Sequence, residues 1–210
     1  MLVAFNFDGS IAESDAYALL AEEAGVADEV TAISEQARAG EMGLAESLRE
    51  RAELLEGLPE IEMKRAFDRV RLRPGAADLV ADLRADDHHV AIITAAPERA
   101  VDLAFDEAGV EPDSVVAPFL ETEGNALTGE ITGRLLDETK GEVLGETATA
   151  TEIGTDETLA VGSDDTDRSM LEVAADGYCF DPTAGLEQHC ETTVKTVGRL
   201  HDQFAEHDIV

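Results

Sequence analysis

Positive charge is what this sequence has least of. Across 210 residues, 15 Lys+Arg face 47 Asp+Glu, a formal charge of −32. Lysine occurs only as Lys64, Lys140 and Lys195. So acidic a field repels a phosphate backbone and an anionic lipid surface alike, which excludes general nucleic-acid binding and membrane-surface binding. Cysteine is nearly absent as well. Cys179 and Cys190 lie late in the chain, eleven positions apart, and match no metal-ligand spacing. Two such residues argue against a disulfide framework and are expected as buried thiols. Long apolar runs are missing too: none approaches the ~18 residues of a membrane span. The apolar start, Met1 to Phe7, is short and no basic residue precedes it, so it does not read as a signal peptide. These absences predict a soluble cytoplasmic protein.

What is present suffices for a core. The hydrophobic fraction, 44%, is ordinary for a globular protein, so the charge does not signal disorder. The acids are spread along the whole chain and read as an acidic surface, not as a binding tail. Adaptation to concentrated salt is one physical account. At molar ionic strength the Debye length is about 3 Å, so self-repulsion is largely screened. A halophilic source is the expectation, and it says little about function.

Four short apolar runs read as buried strands: Leu2 to Phe5, Val90 to Ile93, Val115 to Ala117 and Leu159 to Val161. Helical periodicity lies between them. Ala76 to Ala85 has apolar positions on one face, opened by Pro74-Gly75, and Glu98 to Ala108 ends at the cap signal Gly109. Strands alternating with helices imply a parallel sheet covered on both faces, with functional residues at the carboxyl ends of the strands. One stretch breaks the alternation. From Ser14 to Arg71 only helices are expected, over Asp15–Ala24, Asp28–Ala39, Leu44–Leu55 and Ile61–Val70. The expected organisation is an α/β core, residues 1–13 and 72–210, with a helical cap, residues 14–71, inserted after the first strand. Leu120 to Gly133 reads as a hairpin-like excursion.

The first strand runs into Asn6-Phe7-Asp8-Gly9-Ser10. Alternation puts Asn6 and Asp8 on one side of the strand end, and Gly9 permits a tight departure. The second strand ends at Thr94. Lys140 follows in Glu138-Thr139-Lys140-Gly141-Glu142, and the last strand leads into Gly162-Ser163-Asp164-Asp165-Thr166-Asp167. In this order, and with a cap, these stations resemble the motifs of the haloacid dehalogenase-like (HAD) phosphohydrolases. The resemblance implies a Rossmann-like core and Mg2+ as cofactor. It assigns the nucleophile position to Asn6 and the general acid/base to Asp8, and makes both metal-ligand positions as well. Thr94 becomes the phosphoryl-oxygen ligand, Lys140 the charge-neutralising ammonium, and Ser163 and Asp167 the positions of two metal-serving acids. A closer resemblance is to phosphoserine phosphatases, carried by Glu46 to Pro59, Leu72 to Ala76 and Leu127 to Gly133. It implies a phosphorylated small molecule, phosphoserine-like, as partner. Arg51 falls on the position that holds the substrate carboxylate, and Asp15 on the one that holds its ammonium. A guanidinium fork suits that carboxylate. The family reaction implied is hydrolysis of phosphoserine to serine and phosphate.

The departures converge on one site. Where the family has an aspartate nucleophile this chain has Asn6, and a neutral amide cannot form the same acyl-phosphate. Losing a covalent nucleophile costs on the order of 10⁴ to 10⁶ in rate. Asn6 and Ser163 also remove two anionic metal ligands, so magnesium affinity should fall. Asp164 is a substitute ligand one residue out of register. Ala95-Ala96 replaces a Gly-Gly, and Leu44 replaces an aromatic. Fewer carboxylates also make the pocket less repulsive to phosphate. The leading expectation is a phosphoserine phosphatase-like protein with weak or lost catalysis. Two alternatives stand beside it: an active phosphatase with a rearranged site, and a non-enzymatic phospho-ligand-binding or regulatory module.

Overall fold

Every residue of β1 (Leu2–Phe5) is apolar and buried on both faces, so this strand has only one place to go, the middle of a sheet. In the computed structural model, which describes residues 1–210, it lies between β2 (His89–Ile93) and β6 (Thr158–Gly162), parallel to both. β3 (Ser114–Val116) extends the sheet beyond β2, and β7 (Asp176–Phe180) and β8 (Thr192–Val194) extend it beyond β6. The order is β3-β2-β1-β6-β7-β8, parallel throughout. The chain leaves β1 on both sides, which creates a crevice at the carboxyl ends of β1, β2 and β6, the usual ligand position in such sheets. This is the α/β, Rossmann-like architecture expected.

The four expected strands form at their expected places. β7 and β8 have no counterpart among those apolar runs. β7 carries an acid and a glycine in Asp-Gly-Tyr-Cys-Phe, and β8 is three residues long, so neither stands out in the sequence. Their pairing overturns the expectation for the cysteines. Tyr178 lies opposite Thr192, and Glu191 N–H bonds Gly177 O at 2.8 Å. That register, with the 3₁₀ turn Leu186–His189 folding the chain back, leaves the two cysteine Cα atoms 5.7 Å apart, joined in a disulfide. Cys179 and Cys190 are therefore not free thiols.

Four helices separate β1 from the rest of the core: α1 (Ala16–Ala24), α2 (Ala27–Arg38), α3 (Leu44–Leu54) and α4 (Glu60–Phe67). α5 (Ala76–Ala85) and α6 (Glu98–Ala108) flank β2, each with the bounds its periodicity predicts. The chain crosses into and out of α1–α4 as an adjacent pair. Glu13 N–H bonds Arg71 O and Arg73 N–H bonds Ile11 O, at 2.9 and 2.8 Å. Leu20, Leu48 and Phe67 belong to the same apolar cluster of 52 buried residues as the sheet, so the four helices share its core. The antiparallel hairpin β4 (Phe119–Glu123) and β5 (Ala126–Thr132) lies against α3. Gly57 N–H bonds Leu127 O, and Leu127 N–H bonds Leu58 O, docking the α3–α4 turn to the hairpin edge. α7 (Lys140–Ala150) and α8 (Arg168–Val173) flank β6, and α9 (Val197–Glu206) closes the chain. No helix is long and apolar enough to cross a membrane.

Candidate functional site

Register brings the site together. Asn6 N–H continues the β1 ladder to Val161 O at 2.9 Å, and Thr94 N–H continues the β2 ladder to Val116 O at 3.0 Å. Asn6, Thr94 and Ser163 thus emerge from three adjacent strands at one end of the sheet. Gly9 turns the chain away with φ +79°, and a Cβ there would meet Ser163 Oγ at 2.8 Å. Gly162 makes room for Asp167, whose own Cβ would lie 2.5 Å from an added one.

Lys140 arrives from the first turn of α7. Thr139 caps that helix and Glu142 reaches back to Thr139 N–H, a reciprocal capping box. The lysine is 1% exposed, and its ammonium donates to Asn6 Oδ1 at 3.1 Å and to Asp167 Oδ1 at 2.5 Å. Asp167 Oδ2 accepts from Ser163 N–H at 2.7 Å and Asp164 N–H at 3.4 Å. Complete burial pushes the Asp167 carboxyl up, against the pull of Lys140. Asn6 Nδ2 donates to the Asp8 carbonyl oxygen at 2.7 Å and to Ser163 Oγ at 3.4 Å. The Asp8 carboxylate faces Ala16 N–H, with both oxygens at 3.4 Å. Burial first, and neighbouring Asp15 second, hold its carboxyl well above the usual range. Thr94 is fully buried, and its Oγ1 accepts from Ala96 N–H at 3.1 Å.

α1–α4 supply the opposite wall. Arg51 is 6% exposed, with Nε donating to Ser47 O at 3.2 Å and its guanidinium 4.2 Å from the centre of the Tyr17 ring. It touches no carboxylate closely enough for an ion pair and lines the cavity with Leu44 and Ala95. Asp15 caps α1 through Ala18 N–H at 2.9 Å, and its other oxygen is paired with Arg38. Arg38 Nε also stands 3.6 Å from Asp164 Oδ2. Sequence reasoning missed Arg38. At the end of an amphipathic helix it reads as a dipole-complementing surface charge, and no local signal distinguishes it.

The cavity among these groups is about 30 Å³, room for one water. A wider groove of about 470 Å³ shares Leu44, Lys140 and Thr166 with it and leads outward between Gly40–Ala45 and Leu135–Lys140. The substitute ligand Asp164 is turned aside. Its Oδ1 accepts from Thr166 N–H and Oγ1 at 2.9 and 2.7 Å, and its Oδ2 faces Arg38. Asp8, Asp164 and Asp167 do not converge as a three-carboxylate cluster. The implied magnesium therefore does not fit the residues present. The oxygens that would face it already accept from Asn6, Lys140 and the Ser163 backbone.

Comparison with known proteins agrees with this architecture. The profile of the haloacid dehalogenase-like hydrolases matches residues 3–172. A phosphoserine phosphatase of Halobacterium salinarum is 42% identical over 208 residues, 99% of each chain. One of Archaeoglobus fulgidus is 36% identical over 92% of this chain and 56% of that protein. A solved phospho-aspartyl intermediate analogue of phosphoserine phosphatase superposes with a TM-score of 0.89 at 27% identity, over 96% of this chain and 97% of that one. A substrate-bound phosphoserine phosphatase complex gives 0.89 at 28% identity, over the same shares of the two chains. Fold, motif order and these matches agree: the chain belongs to the haloacid dehalogenase-like hydrolase family and is phosphoserine phosphatase-like within it.

Proposed function

We propose that this chain binds a phosphoserine-like phosphomonoester at the β1–β2–β6 crevice and turns it over weakly or not at all. The observation that carries the reading is Asn6. Its amide stands at the nucleophile position with Oδ1 held by Lys140, and a carboxamide has no anionic oxygen to attack phosphorus. In this reading residues 14–71 are a cap over the core. Thr94 and Lys140 hold phosphoryl oxygens, Arg51 takes a carboxylate, Asp15 faces an ammonium, and Asp8 is the proton donor. The acidic surface is a halophilic one. The similarity to phosphoserine phosphatases supports the ligand class.

The test is phosphate release from O-phosphoserine, with magnesium, in molar KCl. The expected rate is at least ~10⁴-fold below that of an aspartate-nucleophile relative, the cost of losing a covalent nucleophile. Turnover near that of such a relative, with mass spectrometry showing position 6 still amidated, overturns the reading.

A further inference from the structure

Two neutral replacements in this site touch each other. Asn6 Nδ2 lies 2.7 Å from Asp8 O and 3.4 Å from Ser163 Oγ. Its amide orientation is determined by its surroundings. Reversed, the NH2 group would face the Lys140 ammonium and Oδ1 would face the Asp8 carbonyl, giving two repulsive contacts in place of two hydrogen bonds. The two amide hydrogens therefore point at two oxygens that a cation in this crevice would need.

The Asp167 carboxylate oxygens are occupied as well. Asp167 Oδ1 accepts from Lys140 and Oδ2 from Ser163 N–H, with both side chains of the ion pair fully buried. A divalent cation would have to break that buried pair and displace the amide. In return it would gain a carboxylate, a carbonyl and two neutral side-chain oxygens, a poor donor set for an ion that gives up water reluctantly.

Charge counting points the same way. Relative to a site with carboxylates at positions 6 and 163 and one bound divalent cation, this chain lacks two negative charges. Without the cation it also lacks two positive ones. The changes cancel, so an incoming phosphate meets the same net charge with no metal. Either replacement alone would leave the site unbalanced, which accounts for finding them together and in contact.

We propose that the Asn6 amide replaces the metal, and that the crevice is a metal-independent site for a phosphate monoester. This rests on the phospho-ligand reading above for its ligand, but not for the claim about the cation. The probe for the cation is Mn2+, followed by electron paramagnetic resonance in molar KCl. Wild-type protein should show no saturable Mn2+ site up to ~1 mM, whereas Asn6→Asp/Ser163→Asp, with a carboxylate pair restored, should bind at least ~10-fold more tightly. Calorimetry with O-phosphoserine should give the same Kd in chelator and in excess Mg2+, within about threefold. A saturable wild-type Mn2+ site, or a tenfold or greater tightening of O-phosphoserine by Mg2+, about 1.4 kcal/mol, overturns the proposal. If O-phosphoserine binds in neither condition, the phospho-ligand reading fails, and the Mn2+ measurement still decides the cation question.

Discussion

Arg38 shows how one side chain alters the meaning of its neighbours. Asp15 has one oxygen on Ala18 N–H and the other on Arg38, so a ligand ammonium competes with Arg38 for it. An amino group entering the crevice must displace a guanidinium that also faces Asp164. Wild-type protein should therefore discriminate weakly between O-phosphoserine and its des-amino analogue. Arg38→Ala frees Asp15, and the affinity ratio should rise by about tenfold in favour of the amino compound, in line with opposite charges meeting in a closed site. Calorimetry with both ligands measures it. An unchanged ratio removes Asp15 from ammonium recognition. Arg51 is held differently, by the Tyr17 ring and the Ser47 carbonyl, and in the proposed reading its terminal nitrogens take a carboxylate.

At the scale of elements, four strands, the β3 edge among them, and the helices up to α6 were legible, while β7, β8 and the helices after β5 were not. β1, β2 and β6 are buried on both faces, so their sequences are continuous apolar runs. α5 and α6 announce themselves by period and by glycine, at Gly75 before the first and Gly109 after the second. β7 and β8 depend on pairing, since β8 has a single buried residue, Val194. The disulfide between Cys179 and Cys190 ties this edge across eleven positions. Closing so short a loop constrains the unfolded chain by about 2–3 kcal/mol. Reduction, or Cys179→Ser, should lower stability by about that amount in chemical denaturation, with the far-UV spectrum retained. No loss on reduction would show that the edge is held by its ladder alone.

Across the whole molecule, negative charge governs how stability responds to salt. A formal charge of −32 opposes compaction wherever it is unscreened. Several ion pairs join exposed side chains, such as Lys64–Asp68 and Arg199–Asp202, and offset little of it. The melting temperature should rise by on the order of 10 °C between dilute buffer and molar KCl, with the chain unfolding most readily at the lowest salt. Full stability in dilute buffer would refute the reading of the surface as halophilic. The Lys140–Asp167 pair should respond least, because it is fully buried and beyond the reach of screening ions.

The sequence by itself determined the fold class, because strand and helix periods are local properties of neighbouring residues. It also determined the ordered positions from Asn6 to Asp167, since residue identity at a strand end needs no knowledge of distant contacts. Only the tertiary structure decided what those positions do to one another. That the Asn6 amide faces Asp8 and Ser163, that Lys140 is buried against Asp167, that Arg38 spans Asp15 and Asp164, and that two cysteines meet are all consequences of register between strands and helices far apart in the chain. Register is set by the burial of whole faces, which no single stretch of the sequence encodes.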